Sequence, residues 1–298
     1  MTIPSAAASH KPARAARIRL RAAAEAWRHA LLLLAGAGLV ALTLLHAPIP
    51  QPAAYHEFAD TRALWGIPNA WNVLSNLPFA LVGAWGLSLL ARTRPALPFQ
   101  SPWERWPWRV FFAGVLLTTF GSSYYHWVPD NAHLLWDRLP MTVAFMGLLT
   151  ATMAERVSVR WSRLLFAPLL LLGVASATYW YLTERAGHGD LRPYVILVQG
   201  GSLLLILLMV LLYPARHRGS GKVSGNGSLY GALALYALAK LLEEADRATW
   251  LLGIGVGGHC LKHVAAAGAV ALLAWRLRGL PSGAFTRPVP ASCTPGRQ

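Results

Sequence analysis

The stretch PYVILVQGGSLLLILLMVLLY, from Pro193 to Tyr213, runs for 21 residues without an Asp, Glu, Lys, Arg or His. As a helix it would be roughly 30 Å long, the thickness of a bilayer's hydrocarbon core. It reads as a transmembrane helix. The chain on either side repeats the pattern, with apolar blocks at about 30–47, 71–91, 109–127, 137–154, 163–182, 229–243 and 258–276. With 193–213 these make eight expected spans. The block at 229–243 is short and carries Lys240, Glu243 and Glu244 at its end. A composition that is 55% hydrophobic and 13% charged excludes an ordinary soluble domain. The expectation is one all-α integral membrane protein, folded as an antiparallel helical bundle.

The first block follows a basic, Ala-rich segment at 1–28 with Lys11, Arg14, Arg17, Arg19, Arg21 and Arg28. A signal peptide would have a shorter apolar core and a small-residue cleavage site, and Leu44-Leu45-His46-Ala47 is a poor match to one. A retained helix over 29–48 is expected. At the other end, 278–298 reads as a polar, disordered tail. Residues 214–228 read as a flexible Gly/Ser loop.

The net charge of +15 raises the question of nucleic acid, but no aromatic-interleaved basic module accompanies the charge. The basic residues follow membrane orientation instead. Alternate connections hold the excess: the N-terminal segment; Arg92, Arg94, Arg105 and Arg109; Arg156, Arg160 and Arg163; Arg216, Arg218 and Lys222; then Arg276, Arg278, Arg287 and Arg297. The opposite set mixes a few basics with Glu57, Asp60, Asp130, Glu184, Asp190 and Asp246. Both termini are expected to be cytoplasmic. The partners expected are the membrane and a lipid drawn from it, not nucleic acid. Cys260 and Cys293 alone form no disulfide framework and no metal knuckle, and Cys260 reads as an apolar filler.

Against this background a few polar residues stand out. Ser122 and His126 are four apart, as are His259 and His263, so each pair shares one helix face. Asp137 opens the block after His126. By the charge pattern, all three segments deliver these residues to the non-cytoplasmic face. Ionisable groups within hydrocarbon usually pair, coordinate or line a wet cavity. Three neutral imidazoles and a water are the recipe for catalytic zinc, which would also stabilise the Asp137 charge. His133, in the connection between His126 and Asp137, is the other histidine to watch. His29, His46, His56, His188 and His217 lie in loops or at span ends and read as interfacial. Lys262 lies on a different face from the histidine pair and reads as a partner of Glu243, Glu244 or Asp246.

Four segments taken in order, Trp71-Asn72-Val73-Leu74-Ser75-Asn76, Ser122 with His126, Asp137-Arg138-Leu139-Pro140-Met141 and His259-Cys260-Leu261-Lys262-His263, resemble the alkaline ceramidase family. That family belongs to a wider group of seven-span membrane hydrolases with the adiponectin-receptor-like proteins. The resemblance covers 55–277 and implies a seven-helix core, to which the first helix is an addition. It implies one zinc held by His126, His259 and His263, and hydrolysis of the N-acyl bond of a ceramide-like lipid to a fatty acid and a long-chain amine. Asp137 would move the proton from the attacking water to the amine, and Ser122 would hydrogen-bond the developing oxyanion. Trp71, Asn72 and Asn76 would be structural neighbours of the site.

Two departures stand beside these matches. The family's acidic calcium-binding motif ahead of the first core helix is missing, with Glu57, Asp60 and Asn69 the nearest substitutes, which counts against calcium dependence. Arg138 stands where those enzymes often have Glu, which bears on how a headgroup is read. Composition and the lost motif lean towards a bacterial inner membrane. Two alternatives stay open: a zinc hydrolase of another N-acyl or ester lipid, and a non-catalytic receptor or transporter with structural zinc.

Overall fold

The computed structural model describes residues 10–91, 99, 101–214 and 226–278, and among them it is helical without a strand. The Gly/Ser loop at 215–225, the tail at 279–298 with Cys293, and Arg92, Arg94, Arg216, Arg218, Lys222, Arg287 and Arg297 lie outside the described residues. The helices are α1 (His10–Leu45), α2 (Ala70–Leu74), α3 (Leu77–Ala91), α4 (Arg105–Trp127) and α5 (Asn131–Arg156). They continue with α6 (Val159–Arg185), α7 (Gly201–Leu212), α8 (Gly227–Glu244), α9 (Asp246–Leu251) and α10 (Gly258–Arg278). A π-helical segment, Pro193–Gly200, leads straight into α7.

Five helical segments are long and apolar enough to cross a membrane: Glu25–Leu45, Ala70–Ala91, Val159–Arg185, Pro193–Leu212 and Gly258–Arg278. The other three expected spans form the helices α4, α5 and α8, which do not reach that threshold. Polar residues turned inward explain much of the shortfall. In α5 alone, Asp137, Arg138, Glu155 and Arg156 are all buried. The outer surface is the apolar one, with Leu33, Leu81, Phe120, Leu164, Leu171 and Leu241 exposed. An apolar exterior with ionisable groups turned inward suits lipid as the solvent.

The chain departs locally from its sequence pattern at three places. The basic segment expected as a tail is helical from His10, because alanine and arginine are both strong helix formers. The connection between α4 and α5 is only residues 128–130, and α5 starts at Asn131, ahead of the expected start at Asp137. Asp130 makes that possible: its Oδ1 accepts a hydrogen bond of 2.8 Å from the His133 backbone N–H and caps α5. The span beginning at Ala70 is broken after Leu74, because Pro78 has no N–H to donate to the Leu74 carbonyl. Asn76 Nδ2 instead donates to the carbonyls of Asn72 and Val73 across the break, at 2.9 and 3.3 Å.

α4 and α5 form the tightest pair in the bundle. A Cβ at Gly121 would meet the Trp136 carbonyl, and one at Gly147 would meet the Phe111 backbone. Hydrogen in place of a side chain lets the two backbones touch. The apolar core lies between α3, α4, α5, α7, α8 and α10, around Phe111, Phe112, Met146, Ile206 and Leu273.

Polar groups occupy both ends of that core. At the C-terminal ends of α5 and α10, Arg276 Nη1 donates to Glu155 Oε2 at 2.8 Å, its Nη2 bonds the other oxygen, and Arg156 Nε is 3.1 Å from the same carboxylate. At the N-terminal ends of the same helices, eighteen residues from Glu155 in α5 and thus roughly 27 Å away, lie Asp137 and the two C-terminal histidines.

Candidate metal centre

α4 delivers His126 in its last turn, and α10 delivers His259 and His263 in its first two. All three are buried. Their ring centroids are 4.8 Å (His126 to His259), 5.1 Å (His126 to His263) and 5.0 Å (His259 to His263) apart. One nitrogen from each lies within 4.8 Å of the others, close enough to hold a metal ion and compatible with zinc. His126 Nδ1 and His259 Nε2 are buried without a hydrogen-bond partner. Such an orphan costs about 1–3 kcal/mol, and a cation at the centre of the triangle would supply the missing partner. The donor set thus fits a soft-to-borderline divalent metal.

The frame around the triangle fixes each imidazole. Ser75 Oγ donates to the Asn72 carbonyl at 3.0 Å and lies 2.7 Å from His263 Nδ1. With its proton committed, Ser75 can only accept, so Nδ1 carries the hydrogen and Nε2 keeps its lone pair for a ligand. Asn69 Nδ2 donates to the His126 carbonyl at 2.9 Å. Asp246 Oδ1 accepts from the His259 backbone N–H and Oδ2 from that of Ala59, both at 2.8 Å. Phe58 closes one side, 4.7 Å from the rings of both His126 and His259.

Ser122 and Asp137 line the same cavity as His263, a space of about 370 Å³. Phe111, Val115, Leu148, Ile206 and Leu273 extend the cavity into the bundle as an apolar channel. An imidazole of the triangle, a carboxylate, a hydroxyl and an apolar space are thus contiguous.

Other polar residues go elsewhere. His133 bonds Asp130 at 2.7 Å and lies outside the triangle. His56, expected at the interface, is half-buried with Nδ1 3.0 Å from the Tyr125 hydroxyl and Nε2 3.0 Å from Asn131 Oδ1. Lys262 donates to Glu243 Oε1 at 2.9 Å, as its place on the helix implied. The Asp60 carboxylate is taken by Arg62 Nε and Nη2, at 2.9 and 2.7 Å. Asn72 is a junction rather than a ligand: its Nδ2 donates to the Asp60 carbonyl and its Oδ1 accepts from Cys260 Sγ at 3.1 Å.

Sequence reasoning missed Phe58 and the anchoring role of Asp246. Neither has a local signal, since each acts across a long loop. Ser75 lies within the stretch from Trp71 to Asn76, but nothing in its spacing points at a histidine 188 positions away. No family model, curated protein or solved structure matches the chain.

Proposed function

We propose that the chain is a zinc-dependent amide hydrolase of the bilayer, cleaving the N-acyl bond of a ceramide-like lipid to a fatty acid and a long-chain amine. The observation that carries this reading is a cluster of three buried imidazoles, one of which, His263, lines the same apolar cavity as Asp137 and Ser122. A zinc ion held by three neutral imidazoles supplies a Lewis acid and brings the pKa of a coordinated water to about 7.

The chain's own residues do the rest. Asp137 accepts the proton of the attacking water and returns it to the amine as the C–N bond breaks. Ser122 donates its hydroxyl to the carbonyl oxygen as charge develops there. The apolar channel takes the acyl chain and excludes bulk water. In this reading α2 to α10 form the seven-helix core and α1 is an addition, both termini are cytoplasmic, and the site faces the other side, in a bacterial inner membrane.

The test is turnover of ceramides of short and long acyl chain by detergent-purified wild type and Asp137→Asn, with zinc content measured on the same samples. The variant should keep its zinc and lose about 10²–10⁴-fold in kcat. Equal turnover by the two proteins would overturn the mechanism.

A further inference from the structure

The cavity that reaches His263 is lined by three cationic side chains, Arg138, Lys240 and Lys262, and by two carboxylates, Asp137 and Glu243. Glu243 serves both lysines: Lys240 Nζ bonds one oxygen, and Lys262 Nζ donates to the other at 2.9 Å. Tyr55 donates to that same oxygen at 3.2 Å. Arg138 is left with neutral partners. Its Nη2 donates to Gln51 Oε1 at 2.7 Å, and Nη1 is buried without a hydrogen bond.

The guanidinium is held firmly in that position. Its carbon is 3.9 Å from the Trp180 ring centroid, 4.8 Å from that of Tyr194 and 5.6 Å from that of Tyr55. Three aromatic faces fix the plane of the fork and offset part of the cost of burying it. They cannot satisfy an N–H pointing along the plane. The residue is only 4% exposed, so water is not a ready substitute. An excess buried cation with an open, planar donor matches an anionic oxygen. A divalent metal at the histidines would add to the positive field and sharpen the same preference.

We propose that Arg138 binds an anionic group carried on the amine side of the scissile amide, so that the preferred substrate is an acidic N-acyl amphiphile such as an N-acyl amino acid. This rests on the hydrolase reading of the site, keeps its N-acyl bond and replaces the neutral long-chain amine of a ceramide with an acidic amine. The apolar channel takes the acyl chain and the carbonyl lies at the histidines. The carboxylate, its carbon two bonds beyond the nitrogen, reaches Nη1. In hydrolysis the water oxygen bonds to the acyl carbon, the C–N bond breaks and the proton passes to the nitrogen, releasing a fatty acid and an amino acid.

The experiment compares N-oleoylglycine with its uncharged analogue N-oleoylethanolamine, and with oleate, on the full chain in detergent. Binding is measured by calorimetry and turnover by fatty-acid release, for wild type, Arg138→Gln and Arg138→Lys. Wild type should bind N-oleoylglycine about 10–100-fold more tightly than the ethanolamide, and Arg138→Gln should bring that ratio to about one. Arg138→Lys, which keeps the charge but not the fork, should retain an intermediate ratio and guards against a Gln variant that does not fold. Equal binding of the two amides by wild type would overturn the proposal. So would a ratio unaltered in Arg138→Gln, or oleate binding as tightly as N-oleoylglycine, since the anion recognised would then be that of the product. A preference in binding with no turnover of either amide would uphold the anion site and sink the hydrolase reading. Turnover of both at equal kcat/KM would do the reverse.

Discussion

A hydroxyl that has already spent its proton can only accept, and that is why Ser75 matters at the residue scale. Its bond to the Asn72 carbonyl leaves lone pairs facing His263 Nδ1, which sets the tautomer that frees Nε2. Ser75→Ala should therefore weaken zinc affinity about 10–100-fold while the three histidines remain. Chelator competition on the purified protein measures this, and an affinity equal to wild type would remove Ser75 from the account. The three histidines themselves were legible, because ionisable residues inside apolar blocks are costly unless they pair or coordinate, and an i,i+4 spacing aims two of them at one point. Ser75, Phe58 and Asp246 were not. Each meets the site through a tertiary contact, and no local spacing encodes a partner that far along the chain.

At the scale of elements, the α4–α5 hairpin sets the distance between His126 and Asp137. Its three-residue connection and the glycine contact at Gly121 hold the two helices at backbone range. Gly121→Ala would push a methyl group onto the Trp136 carbonyl. The helices must then part, at a cost of about 1–3 kcal/mol, and the thermal midpoint in detergent should fall, with weaker zinc retention alongside. An unaltered midpoint would show that the contact can relax and does not position the site. The hairpin's existence was legible from the apolar blocks on both sides of Pro129. That α5 begins already at Asn131 was not, since a block of apolar residues marks what lipid or core covers and says little about the polar turn that starts a helix. The π-helical segment at Pro193–Gly200 was hidden for a related reason: a stretch apolar on every face has no periodicity from which to read its winding.

Across the whole molecule, polarity is inverted: apolar side chains face outward and ionisable ones meet inside, at two ends of the same helices. The inversion accounts for what hydropathy alone could and could not reveal. α3, α6 and α7 announce themselves as spans by composition, whereas α5 conceals its length because Asp137, Arg138, Glu155 and Arg156 count against it while pointing inward. The end of the bundle with Glu155 and Arg276 closes on itself as an ion-pair cluster. The other end leaves imidazole nitrogens without partners, and the central claim is that a zinc ion provides them. Elemental analysis of the full chain, purified in detergent without chelators, tests that most directly, with His259→Ala and His263→Ala prepared in parallel. The account predicts about one zinc per wild-type chain, as three imidazoles and one open position hold a single ion, and a near-complete loss in both variants. A metal-free wild type, or variants that carry as much zinc as wild type, would contradict it.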